Sequence, residues 1–168
     1  MTPTNGNNFF TAHGLGLHMD IDVKQNQPFW HTKKLGEMTL KEWESLCDGC
    51  GKCCLEKLED ELTGEISYTS VACSLLNLET CKCAKYEKRQ KHMNDCIQLD
   101  AKNVSEFKWM PSTCAYRLLA EGKDLPIWHP LVTNDPDSAI KAGITIKGRA
   151  VKSKAASELE KYIVKWAE

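Results

Sequence analysis

A small α+β domain, mainly helical with a few short strands and arranged around a cysteine-rich metal-binding centre, is the fold class that the sequence predicts. Three observations carry it. Four thiols crowd into Cys47-Asp48-Gly49-Cys50-Gly51-Lys52-Cys53-Cys54. Segments with helical caps and helical spacing stand on either side of that stretch. Between them Ile66-Ser67-Tyr68-Thr69-Ser70-Val71 reads as a short β-strand.

The cysteine stretch is the most specific of the three. Cys47 and Cys50, and again Cys50 and Cys53, have the Cys-x-x-Cys spacing that turns two sulfurs toward one ion, with metal–sulfur distances of about 2.3 Å in zinc sites. Gly51, directly after Cys50, can take a positive φ and so let backbone N–H groups fold toward the sulfurs. Cys53 and Cys54 are adjacent, and neighbouring side chains diverge by roughly 100° in a helix or about 180° in a strand, so one ion does not easily take both. Downstream, Cys73, Cys81, Cys83 and Cys96 form a second cysteine group. The expected metal ligands are therefore Cys47, Cys50, Cys53, Cys54, Cys73, Cys81, Cys83 and Cys96, enough for two four-thiolate sites or for one site and several buried thiols. Lys52, Lys57, Lys82, Lys85 and Arg89 lie among them and can offset thiolate charge, or simply form a solvated basic surface.

With 168 residues, 42% of them hydrophobic, the chain is long enough to bury its own core. A net charge of -1 predicts no general affinity for nucleic acid or for anionic membranes. No apolar run approaches the roughly 20 residues of a membrane span. The N-terminus has neither a basic start nor an apolar core of the kind a secretory signal needs, so a cytoplasmic location is expected. In that reducing compartment nine cysteines, an odd number, argue for metal ligands over a disulfide framework.

Residues 1–27 lack any sustained period and are expected to form a flexible N-terminal segment, with His13 and His18 in a solvated tail. Residues 28–135 should form the cysteine-rich metal-binding core. In it, Thr39 and Glu42 make a capping box, Met38 and Trp43 occupy hydrophobic-staple positions, and a helix starts at Leu40 with Leu40, Trp43 and Cys47 on one face. Leu55 to Glu61 reads as a short helix with a charged outer face. Asn103 caps a turn, Phe107, Trp109 and Met110 supply core, and a further helix runs from Ser112 or Thr113 to Ala120, stopped by Gly122. Cys114 lies on that helix beside Leu118, where it reads as a small apolar group. His129, between Trp128 and Pro130, reads as a packed residue. Residues 136–168 should add a strand at Ile144 to Lys147 and an amphipathic helix capped by Ser157, carrying Leu159, Ile163 and Trp166 on one face and docking on the core or on a partner.

Pro28-Phe29-Trp30, the run from Glu42 through Cys54, Val71-Ala72-Cys73, Cys81-Lys82-Cys83, Asp95-Cys96, Cys114-Ala115-Tyr116-Arg117-Leu118-Leu119 and Trp128-His129-Pro130-Leu131 together resemble the bacterial YcgN proteins. These belong with the YkgJ-type CxxCxxCC group, which is associated with zinc or iron chelation. The resemblance covers roughly residues 28–150. One departure is local: the wider group often has Arg-Pro after the Tyr of the second cysteine segment, whereas here Arg89 is followed by Gln90. Cys96 is retained.

The expected function is therefore metal binding through clustered thiolates, with zinc or an iron-sulfur cluster as cofactor. The alternative is a thiol-disulfide redox pair at Cys47 and Cys50, which leaves the other thiols without a role and lacks a surrounding βαβ pattern. No HExxH, P-loop, dinucleotide fingerprint or nucleophile elbow is present, so catalysis is not expected. The chain is expected to be a monomer, with an unidentified protein as the remaining class of partner.

Overall fold

The structure, a computed structural model, describes residues 27–153 and 158–166. The expected flexible segment, apart from Gln27, lies outside the described residues, as do His13, His18 and Ser157.

Helix α1 (Phe29–Thr32) follows Pro28 directly. Helix α2 (Leu40–Ser45) starts where the capping box places it. Thr39 Oγ1 accepts from the Glu42 N–H at 3.3 Å, and the Thr39 N–H donates to Glu42 Oε2 at 2.8 Å. Met38 and Trp43 are both half-buried against one apolar cluster, as a staple requires, but Leu40 is exposed and Leu46 is the residue that α2 sends fully into the core.

After the cysteine turn the chain enters β1 (Leu55–Glu59), not the expected helix. Leu55 and Leu58 are three apart, a helical spacing. A register irregularity between Leu55 and Lys57 sets Glu56 alone opposite Thr69, Ser70 and Val71 of the neighbouring strand, so regular pairing is broken there. β1 pairs antiparallel with β2 (Ile66–Ala72), the strand read from the sequence. Asp60 closes the connection by accepting from the Leu62 and Thr63 N–H groups at 3.0 and 2.8 Å. Thr69, fully buried on β2, donates its hydroxyl to Glu56 O at 2.8 Å.

β3 (Leu76–Asn77) and β4 (Lys82–Cys83) form a small antiparallel pair, followed by α3 (Arg89–His92). A single 3-10 turn, Val104–Glu106, precedes α4 (Ala115–Ala120), which ends in a Schellman arrangement. Gly122 takes φ 71° there, its N–H meets Leu119 O at 3.1 Å, and the Lys123 N–H meets Leu118 O at 2.8 Å. Helices α5 (Pro130–Thr133) and α6 (Ser138–Lys141) follow.

The C-terminal region departs from expectation twice. Ile144, Thr145 and Ile146 are buried in succession instead of alternating, and turns surround them, with Gly143 and Gly148 both at positive φ. The strand comes later, as β5 (Val151–Lys152), parallel to β2 and completing a sheet of order β1-β2-β5. The expected last helix is one 3-10 turn, Leu159–Tyr162, after which the chain extends and Ile163 bridges to Thr69. The Trp166 indole N–H donates to Thr69 O at 3.2 Å, so pairing with β2 replaces helix formation.

Helix accounts for 33% and strand for 14%, an α+β composition. Two apolar clusters form the interior. One joins Leu46, Val104, Met110, Ala115, Tyr116 and Leu125. The other joins Leu55, Ala72, Leu76 and Ile146 beneath the sheet. Among the described residues no helix is long and apolar enough to cross a membrane.

Candidate metal centre

The cysteine turn hangs between the two clusters. At its start, fully buried His129 anchors the backbone. The Leu131 N–H donates to His129 Nδ1 at 3.2 Å, so Nε2 carries the ring proton and donates to Leu46 O at 3.1 Å. Burial holds this imidazole below its ordinary pKa, which suits the neutral tautomer that caps α5. His129 is thus a packed residue that fixes the carbonyl immediately before Cys47.

Gly49 and Gly51 then take φ 70° and 77°, and the turn closes as 3-10 over Lys52–Cys54. At Gly51 no other residue fits easily: a Cβ there would sit 2.9 Å from Ile146 Cγ1. On the other side the Ile146 N–H donates to Cys50 O at 2.9 Å. Two positive-φ glycines send backbone N–H groups toward sulfur, that of Gly49 to Cys47 and that of Lys52 to Cys50. This is the local geometry expected from Gly51, and such N–H groups stabilise thiolate charge.

All nine cysteines are free. Cys47, Cys50 and Cys53 stand around Asp48, whose Oδ1 accepts the Cys50 N–H at 3.0 Å. The fourth thiol here is Cys114, which is charge-coupled to Cys47 and Cys53. It is brought there because α2 packs on α4. The Trp43 and Tyr116 rings meet at 4.7 Å, and the Tyr116 hydroxyl donates to Trp43 O at 2.9 Å. Burial pushes the Cys47 and Cys114 thiols up to about 12 and raises Cys50 as well. Cys53 is the exception, lowered to about 7 by the hydrogen bond from Cys54, whose sulfur is 4.0 Å away, while Cys54 is raised in consequence. Cys47 and Cys53 are open to solvent on one side.

Cys54 faces a different neighbourhood. Its carbonyl accepts the Cys73 N–H at 2.9 Å, and its thiol is charge-coupled to Cys73 and Cys96. Cys83 reaches the same place through the small hairpin, paired with Leu76 while the Leu76 N–H donates to Cys73 O at 3.0 Å. Cys96 follows a turn closed on Met93 O at 3.1 Å, and the Met93 sulfur lies 4.0 Å from Ser74 Oγ. Burial raises the Cys96 thiol, with Arg89, Cys83 and Cys73 its charged neighbours.

Cys81 lies against the apolar side of the turn, its Cβ 3.5 Å from where a Cβ on Gly51 would sit. It adopts φ 53°, packs on the Leu55 cluster, and is flanked by the Ile146 and Lys147 N–H groups, with Lys147 and Glu79 its leading charged neighbours. Of the five basic residues singled out in the sequence, Lys52 is buried within the cysteine turn and not on a solvated surface, Lys57 lies beside Cys53 and Cys54, and Arg89 hydrogen-bonds the Cys96 thiol. Lys82 and Lys85 are exposed.

The donor chemistry fits a soft metal: thiols in fours suit zinc and iron centres alike. A buried Asp48 oxygen, Oδ2, has no hydrogen-bond partner in the protein and lies in the first group. As they stand, no three His, Cys, Asp or Glu side chains among the described residues converge tightly enough to hold an ion. A cleft of about 400 Å³ lined by Trp30, His31, Leu35 and Met38 contains no thiol.

Sequence position and local geometry together define a cysteine-rich α+β module of the CxxCxxCC type. Residues 46–115 match the family described as "CxxCxxCC: Putative zinc- or iron-chelating domain". The UPF0260 protein of Granulibacter bethesdensis is 52% identical over 83% of this chain and 84% of its own length. Those of Sinorhizobium fredii and Rhizorhabdus wittichii are each 54% identical, over 84% and 83% of this chain and 92% and 95% of theirs. The chain belongs to the UPF0260 family. No solved structure matches it.

Proposed function

We propose that this protein binds zinc or an iron centre through the thiolates of its CxxCxxCC turn, and acts as a metal-dependent binding or electron-carrying module of the cytoplasm. The observation that carries the reading is the turn itself. Two positive-φ glycines direct N–H groups at the sulfurs of Cys47 and Cys50, an arrangement that favours charged thiolates bound to a cation. The family description, zinc- or iron-chelating, supports the same reading. Eight thiols, Cys47, Cys50, Cys53, Cys54, Cys73, Cys81, Cys83 and Cys96, are the ligand candidates from sequence. A bound metal would supply Lewis-acid crosslinking if zinc, or reversible electron transfer if an iron-sulfur cluster. The near-neutral charge gives no basis for nucleic-acid or membrane binding, and a monomer with a protein partner fits best.

The thiol-disulfide alternative is weaker. Burial raises both Cys47 and Cys50, whereas a redox pair needs a depressed thiol; Cys53 is lowered, through its bond with Cys54, but a pair of it with Cys50 still leaves the other thiols without a role.

The test is the colour, metal content and acid-labile sulfide of the full chain purified without oxygen. Stoichiometric zinc in a colourless protein, or a brown protein with labile sulfide, is expected. Metal-free protein in both the aerobic and anaerobic preparations would overturn the proposal.

A further inference from the structure

We infer that the thiols form two separate four-sulfur metal centres, one of Cys47, Cys50, Cys53 and Cys114 and the other of Cys54, Cys73, Cys83 and Cys96, with Cys81 belonging to neither. This rests on the proposed metal binding and deepens it. It changes the ligand set in two places: Cys114 enters and Cys81 leaves.

The division begins at one peptide bond. Cys53 and Cys54 are consecutive in a 3-10 turn, and although their sulfurs approach to 4.0 Å, the other thiols around each are different. Cys53 looks toward α2 and α4, where Cys47, Asp48 and Cys114 surround it. Cys54 looks toward the start of β3, where Cys73 is tied to it by the backbone hydrogen bond of 2.9 Å. The turn between β3 and β4 then returns Cys83 to the Cys73 side, and the Met93–Ser74 contact holds the Cys96 turn there. Each neighbourhood draws four thiols from segments far apart in sequence, and a bound metal would draw their sulfurs together, since among the described residues no three converge tightly enough as they stand.

Cys114 is the N-cap of α4, and the Arg117 and Tyr116 N–H groups are directed at its sulfur. It is also held there by two contacts from α2 that do not involve it, the Trp43–Tyr116 ring pair and the Tyr116 hydroxyl bond. The orphaned Asp48 Oδ2 in the same group is a second polar atom without a protein partner. Cys81, by contrast, packs among apolar side chains with its neighbours Leu78 and Ile146, and behaves as a small hydrophobe.

Cationic groups are distributed accordingly, Lys57 next to the Cys53–Cys54 junction and Arg89 on Cys96. Loading each group with a divalent ion is balanced by loss of four thiol protons: M²⁺ plus four R–SH gives a dianionic tetrathiolate and four H⁺. The charge that remains is what Lys57 and Arg89 partly offset. The membership is the same if the occupant is a zinc ion or a four-cysteine iron-sulfur cluster, since both take four thiolates.

The experiment uses the full chain, reduced and metal-free, titrated anaerobically with zinc alone, followed by thiol alkylation and mapping of the modified cysteines by mass spectrometry. Two zinc ions per chain are expected. Cys114 should be alkylated in the metal-free protein and protected by zinc, whereas Cys81 should label equally in both forms. The Cys81→Ala variant should keep both ions and Cys114→Ser should lose one. Cobalt substitution should show weaker sulfur-to-metal charge-transfer absorption in Cys114→Ser alone. If Cys114→Ser fails to fold, the alkylation map of the unmodified chain still decides. Zinc binding that protects Cys81 and leaves Cys114 labelled overturns the assignment, as does a single ion per chain. No zinc uptake at all overturns the proposed metal binding itself.

Discussion

Around α2 and α4 the interior consists of large side chains in contact with one another, whereas beneath β1 and β2 it consists of a few aliphatic residues and several thiols. The first cluster buries Leu46, Met110 and Tyr116 and is walled by Trp43, Phe107 and Trp109. The second buries only Leu55, Ala72, Leu76 and Ile146, with Cys54, Cys81 and Trp166 at its margin. At about 25 cal/mol per Å² of apolar surface, the larger set of aromatic walls around the first cluster contributes more than the four aliphatic side chains of the second with Tyr68 and Trp166 beside them. The difference teaches that the two regions should depend to different degrees on what their thiols bind, the first, where Cys114 is set among large side chains, less than the second.

Metal removal tests this most severely. Structural zinc sites contribute apparent free energies of about 10–16 kcal/mol to small domains, so stripping a bound metal under reducing conditions should unfold the sheet region. Hydrogen exchange should then accelerate at the Cys73 and Ile146 N–H groups, which are bonded to Cys54 O and Cys50 O. The Leu118 N–H in α4, bonded to Cys114 O, should remain the slower of the set. Equal acceleration in both regions would erase the distinction.

Two core truncations sharpen it. Met110 and Ile146 are each almost completely buried, one in each cluster. Truncating either to Ala in the metal-loaded protein should cost about 2–5 kcal/mol, read by denaturant unfolding. In metal-free protein Met110→Ala should keep its effect while Ile146→Ala loses most of its own, because the second cluster is already open. The same loss for both variants without metal would contradict the comparison.

The smallest effect is expected at the outer face of α2. Lys33, the Thr39 N–H and the Thr39 hydroxyl all donate to Glu42, and the Lys33 ammonium first among them lowers its carboxyl to about 2. A depressed acid stabilises the fold above its unfolded pKa and stops doing so as pH falls through its folded value. The difference in melting temperature between the native protein and Glu42→Gln should therefore be small at neutral pH and vanish as the pH approaches about 2. A difference that grows on acidification would show that Glu42 acts otherwise than as a charged cap.

Local signals in the sequence were sufficient where one short segment decides its own shape. The Thr39–Glu42 box, the positive φ of Gly51, the stop at Gly122 and the strand through Ile66 to Val71 all fall in this class. Leu55 to Glu59 misleads because its leucines stand at a helical spacing and its acids are poor strand formers, yet pairing with β2 and a bulge override both. Ile144 to Ile146 alternates in type but is buried throughout, since tertiary contact with Cys50 and Gly51 sets its path. The C-terminal residues follow a helical period yet pair with β2. At the candidate site, the positive φ of Gly51 and the N–H groups turned toward sulfur were legible. The position of Cys114 was not, because its neighbours along the chain are apolar and its partners lie more than sixty residues away, at Cys47 and Cys53.

Among the described residues the sheet has an unpaired margin along β1, and Lys57 changes what that margin can do. Because Cys54 O faces β2 to receive the Cys73 N–H, the carbonyls of Cys53 and Leu55 on either side of it face outward. Lys57 Nζ donates to both, at 3.0 and 2.7 Å, while lying 4.5 Å from the centre of the Trp109 ring. Two acceptors that a foreign strand would need are already occupied by a side chain of the same strand, and an indole lies over the ammonium that occupies them. Open strand margins are where chains stack into aggregates, and a lysine is among the residues that discourage it. The side chain that supplies positive charge beside the thiols thus also keeps one copy of the protein from adding itself to the next.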